Sequence, residues 1–91
     1  MLEAAHIKIH GRVQGVWFRA GTKERAEELG LAGWVVNQPD GTVEIHAQGE
    51  KLQLEKFIAW CHQGTPASKV TSLSINRVQA KSELTIFEIQ S

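Results

Sequence analysis

The hydrophobic period of this chain switches back and forth between two residues and about 3.6, a rhythm that limits its possible folds more than any other feature. From Ala5 onward Ile7, Ile9 and Val13 keep one parity and His6, Lys8, His10 and Arg12 the other, the pattern of a strand with one buried face. From Ala20 to Gly30 the pattern turns helical. Thr22, Ala26 and Leu29 fall at i, i+4 and i+7 among Lys23, Glu24, Arg25, Glu27 and Glu28, and Gly30 stands where a C-cap belongs. A hairpin is predicted next: Trp34, Val35 and Val36 form one arm, Pro39-Asp40-Gly41 the turn, and Val43, Ile45 and Ala47 alternate with Glu44, His46 and Gln48 in the other. Leu54, Phe57, Ile58 and Cys61 then mark a second amphipathic helix that stops at Gly64, before Pro66. A strand through Val70, Leu73, Ile75 and Arg77, a loop near Ala80 to Ser82, and a closing strand from Leu84 to Ile89 complete the series.

Two amphipathic helices separated by a hairpin can cover one face of an antiparallel sheet. The expected fold is therefore α+β, a two-layer α/β sandwich with ferredoxin-like split β-α-β topology and an extra C-terminal strand. With 91 residues the chain has material for one core, so residues 1–91 are read as a single domain. Cys61 is the only cysteine; stability must come from packing, which suits a reducing compartment. Basic and acidic side chains number ten each, and neither half of the chain is a nucleic-acid arm or an acidic tail. No run approaches the length of a membrane span, and the N-terminus has no signal-peptide pattern. These features predict a soluble, cytoplasmic protein. With no unexplained apolar stripe, a monomer is expected.

Residues 11–19 read GRVQGVWFR, directly between the first strand and the first helix. A helix start exposes up to about four unpaired N–H groups, and a curled loop before it can aim more at the same centre. Gly15 is the natural hinge because it accepts positive φ without Cβ strain. Arg19 can set a planar guanidinium fork against two oxygens of one anion. Strand, loop and helix N-terminus together make a phosphate cradle, although the same residues also describe a tight turn beside a solvated arginine.

The segment from Gly11 to Arg19 and the segment from Gly33 to Glu44, GWVVNQPDGTVE, resemble the two signatures of the acylphosphatase family. The likeness extends to GTPASKV at 64–70 and to Phe87 and Ile89, so it covers nearly the whole chain. The resemblance implies an acylphosphatase, an enzyme hydrolysing the carboxyl–phosphate anhydride of acyl phosphates without metal or cofactor. By position it makes Arg19 the phosphate-binding arginine and Asn37 the residue that orients the attacking water. The loop of Gln14, Gly15, Val16, Trp17 and Phe18 would contribute backbone donors. Two departures stand out: Thr65 precedes Pro66 where the family often has proline, and position 17 holds a bulky tryptophan at the rim that admits the acyl group.

Other readings compete at particular residues. Asn37, in an N-Q-P-D-G context, is also suited to capping the hairpin as an Asx-turn. His6, His10, His46 and His62 lack compact zinc spacing and are expected to be surface residues, with His46 on the outward parity of the hairpin. Asp40 and Glu44 are likewise assigned to the surface, while Trp34, Phe57, Trp60 and Phe87 are assigned to packing. Arg12 and Lys23 flank the anion loop and are placed to steer a doubly charged substrate or simply to be solvated. An RNA-binding sheet would display exposed aromatics and a basic surface; this one reads His6, Lys8, His10, Glu44, His46 and Gln48. The leading alternative is a non-catalytic ferredoxin-like module that binds a small phosphorylated ligand.

Overall fold

The alternation that begins the chain produces β1, Leu2–Arg12, the longest strand of the sheet and one flanked on both sides by antiparallel neighbours. In the computed structural model, which describes residues 2–90, it is followed by α1 (Phe18–Glu28), β2 (Ala32–Asn37), β3 (Val43–Glu50), α2 (Lys51–Gln63), β4 (Lys69–Val78) and β5 (Phe87–Gln90). The sheet order is β4-β1-β3-β2-β5, with both helices on one face. All pairings are antiparallel except β2 with β5, which run parallel and place Val35 opposite Ile89. This is the expected ferredoxin-like sandwich, and the extra strand lies at the edge beside β2.

Parity determines the core. Ala5, Ile7 and Ile9 of β1, Val35 of β2 and Val43, Ile45 and Ala47 of β3 lie beneath the helices with Phe18, Ala26, Leu54, Phe57 and Cys61, all essentially without solvent contact. Thr22 belongs to the same stripe because its hydroxyl donates to the Phe18 carbonyl at 2.8 Å, which satisfies a polar atom that burial would otherwise strand. Burial pushes the Cys61 thiol far above its ordinary pKa, so it is an inert apolar side chain at neutral pH.

Helix α1 starts at Phe18, two residues before the predicted Ala20, since Phe18 already faces the core. Its end matches the expectation. Gly30 takes φ 71°, the Leu31 N–H donates to Ala26 O at 2.9 Å and the Gly30 N–H to Glu27 O at 3.1 Å, which together form a Schellman motif. The closing strand starts at Phe87 rather than Leu84, after a turn at residues 82–83.

The helix-free face differs from the expectation in one respect. His46 and Gln48 are buried, at 3% exposure each, not solvated. Trp34 shares their face and its ring contacts both the His6 and the His46 rings, with centroids 5.6 and 6.1 Å away. The Gln48 amide donates to Lys81 O at 2.7 Å and accepts from Lys81 N at 2.9 Å, so the strand-to-strand connection after β4 covers this end of the sheet. With Gln48 Oε1 an acceptor only, the His46 Nε2 atom 2.9 Å away must carry its proton.

Candidate active site

The connection from β1 to α1 spans residues 13–17 and turns on two left-handed residues. Gly15 has φ 73°, as the hinge reading requires, and Trp17 has φ 61° and ψ 20°. For a residue with a Cβ that conformation costs about 1–3 kcal/mol. Trp17 is also the α1 N-cap. It makes no side-chain capping bond and no acidic residue occupies the first turn, so the positive end of the helix faces outward without a competing carboxylate. Arg19 lies in that turn, half-buried, and among the described residues no carboxylate pairs with its guanidinium.

Asn37 is the last residue of β2 and comes to the same place from the other side. Both it and Arg19 line a cavity of about 400 Å³ together with Gly15, Trp17 and Phe18. Val13, Ala20 and Ile89 complete the wall. The Asn37 side-chain oxygen is buried and has no hydrogen-bond partner, although such an atom almost always finds one.

The hairpin turn is capped by Asp40 instead. Its Oδ1 accepts from the Thr42 hydroxyl at 2.6 Å and the Thr42 N–H at 3.0 Å, while Lys8 Nζ stands 3.1 Å from Oδ2. The Thr42 hydroxyl foremost, then the Thr42 N–H and Lys8, hold the Asp40 carboxyl well below the usual carboxylate range. The Asx-type role considered for Asn37 is therefore performed three residues later.

Gln14 connects the two sides. Its Nε2 donates to the Gln38 and Thr42 carbonyls, both at 2.8 Å, across sequence separations of 24 and 28 residues. The connection from β1 to α1 is thus fastened to the hairpin one residue beyond Asn37. Truncating Gln14 to alanine leaves both carbonyls without this donor and should cost about 1–3 kcal/mol of stability. Displacing the loop should also lower kcat about tenfold, since small misplacements in a preorganised site are expensive. Urea denaturation and steady-state kinetics on the one variant check both effects.

Of the residues named from sequence, Gly15, Trp17, Phe18, Arg19 and Asn37 meet at the cavity. Val16 packs against the core, and the Gln14 side chain is directed to the hairpin. Ile89, Val13 and Ala20 were not foreseen as part of the wall. Ile89 arrives only because β5 joins the sheet beside β2. Of the flanking cations, Lys23 is paired with Glu27 at 2.6 Å, and Arg12 is exposed. Among the described residues no three His, Cys, Asp or Glu side chains converge to hold a metal ion.

The acylphosphatase family pattern matches residues 5–89, which takes in every element that builds this cavity. The chain belongs to the acylphosphatase family. It is 42% identical over 88 residues to an acylphosphatase of Methylococcus capsulatus, covering 97% of this chain and 96% of that one. With an acylphosphatase of Marinobacter nauticus the identity is 48% over 82 residues, 90% and 89% of the two chains. The crystal structure of acylphosphatase from Bacillus subtilis superposes with a TM-score of 0.94 at 40% identity, all of each chain being covered. This member therefore shares the family fold from end to end, including the edge strand that carries Ile89.

Proposed function

We propose that this acylphosphatase-family chain hydrolyses acyl phosphates to a carboxylate and inorganic phosphate, with Arg19 and the N–H groups of the 14–19 loop holding the phosphoryl group and Asn37 orienting the attacking water. The observation that carries the reading is the convergence of Arg19 and Asn37, brought from different elements, on one cavity, with no hydrogen bond within the fold occupying the Asn37 side-chain oxygen. A carboxamide so placed can accept a hydrogen bond from water while its NH₂ donates to a phosphoryl oxygen.

The chemistry asks little else of the protein. The leaving group is a carboxylate, stable as an anion, so no general acid is needed. Charge in a loose phosphoryl-transfer transition state spreads over three equatorial oxygens, where fixed N–H dipoles and a guanidinium act most strongly. Water oxygen bonds to phosphorus, and the bond from phosphorus to the acyl oxygen breaks with its electron pair going to the carboxylate. Both water protons finish on the phosphate, one of them by way of a phosphoryl oxygen as attack proceeds. Asn37 is too weak a base to hold a proton and serves only to orient.

Hydrolysis of benzoyl phosphate by the purified chain, with and without a strong chelator, tests the proposal. Turnover that the chelator leaves intact and inorganic phosphate inhibits competitively is expected. Phosphate binding without turnover would support the non-catalytic module instead.

A further inference from the structure

We infer that Trp17 and Ile89 form an apolar subsite for the acyl half of the substrate, which makes aromatic acyl phosphates better substrates than acetyl or carbamoyl phosphate. The inference rests on the functional reading above and concerns the part of the cavity that the phosphoryl group leaves free.

Folding gives no reason for tryptophan at position 17. Its backbone has the left-handed conformation that a side chain disfavours, the residue is 83% exposed, and its ring joins none of the ring pairs formed among the described residues. Glycine would relieve both the strain and the exposed apolar surface. A large side chain kept at such a double disadvantage, on the rim of a ligand cavity, points to a use in binding.

The opposite rim points the same way. Ile89 is 43% exposed although its neighbour on the same parity, Phe87, is buried at 2%. It projects from β5 into the cavity that Trp17 borders. Between them the floor is Val13 and Phe18, each 1% exposed. Arg19 and Asn37 supply the polar side chains of the wall, and both are committed to the phosphoryl group and the water. A volume of about 400 Å³ is more than a phosphoryl group occupies and lies in the range of pockets that hold small organic ligands, about 300–1,000 Å³.

An acyl phosphate bound through its phosphoryl end must therefore lay its acyl group between an indole and a branched alkyl chain. A phenyl ring gains area and an offset or edge contact with the indole there. A methyl group gains little, and the NH₂ of a carbamoyl group meets carbon walls that offer no acceptor.

The test is the ratio of kcat/KM for benzoyl phosphate to that for acetyl phosphate in the parent, Trp17→Gly, Trp17→Phe and Ile89→Thr. The parent ratio should be well above one and should fall about tenfold in Trp17→Gly, the scale of one lost aromatic contact. Trp17→Phe should retain most of it. Ile89→Thr, outside the anion loop, should lower it severalfold. Glycine suits the backbone at residue 17, so Trp17→Gly should fold at least as well as the parent. Acetyl phosphate turnover with a ratio that neither Trp17→Gly nor Ile89→Thr changes would overturn the subsite and leave the hydrolase reading standing. Failure of the parent to hydrolyse either substrate would overturn both.

Discussion

Replacing Arg19 with alanine should reduce kcat for benzoyl phosphate about a thousandfold and weaken competitive inhibition by inorganic phosphate more than tenfold. The first figure is the scale observed when one well-placed donor is taken from a preorganised oxyanion site, about 10²–10³, set at the upper end because the donor is charged and forked. The second follows because phosphate carries much of the charge that the site meets in the transition state. Arg19 is half-buried and among the described residues holds no carboxylate, so its removal breaks no ion pair of the fold. The thermal midpoint should move by only a few degrees, as for a surface substitution of about 0.5 kcal/mol. Steady-state kinetics with phosphate as inhibitor, beside a thermal melt, separates these effects. Full activity in a folded variant would remove Arg19 from the site.

Asn37→Ala should behave differently. Turnover should fall about a hundredfold, near 3 kcal/mol, because an orienting partner for water is lost. Phosphate inhibition should change less than about threefold, since the guanidinium and the loop proposed to hold the anion stay in place. Stability is the second discriminator. The Asn37 oxygen has no partner to lose, whereas Asp40 holds the turn through Thr42. Asn37→Ala should therefore leave the melting midpoint almost unchanged, while Asp40→Ala should lower it. A variant of Asn37 that loses stability and phosphate binding together would show that the side chain maintains the hairpin.

Much of this architecture was legible in the sequence because local physics and tertiary packing agree in it. Strict alternation in β1 and β3 placed the core face, the i, i+4 pattern placed Thr22 and Ala26 beneath the sheet, and the glycines at 15 and 30 lie where positive φ is required. The two motifs brought Arg19 and Asn37 forward as candidates, and the fold places them at one cavity. What was hidden depends on chain segments far apart in sequence. The Gln14 amide reaches carbonyls 24 and 28 residues away, and no local pattern marks that pairing. Alternation put His46 and Gln48 on the outer face correctly, but their burial required Lys81 and Trp34 to lie against them. Ile89 enters the site because β5 pairs parallel with β2, a choice of sheet edge that the strand's own residues do not encode. The left-handed Trp17 contradicts local preference outright, and such conflicts are expected where a site, rather than the core, selects the residue.

The central claim is that the cavity sets water against phosphorus, with Asn37 on the water and Arg19 on the phosphoryl oxygens. Hydrolysis of benzoyl phosphate in ¹⁸O-labelled water, carried out at enzyme concentrations that outrun the uncatalysed reaction and read by mass spectrometry of both products, tests it most directly. One labelled oxygen in the inorganic phosphate and unlabelled benzoate are expected. Label in the benzoate would place the attack at the acyl carbon and contradict attack of water at phosphorus.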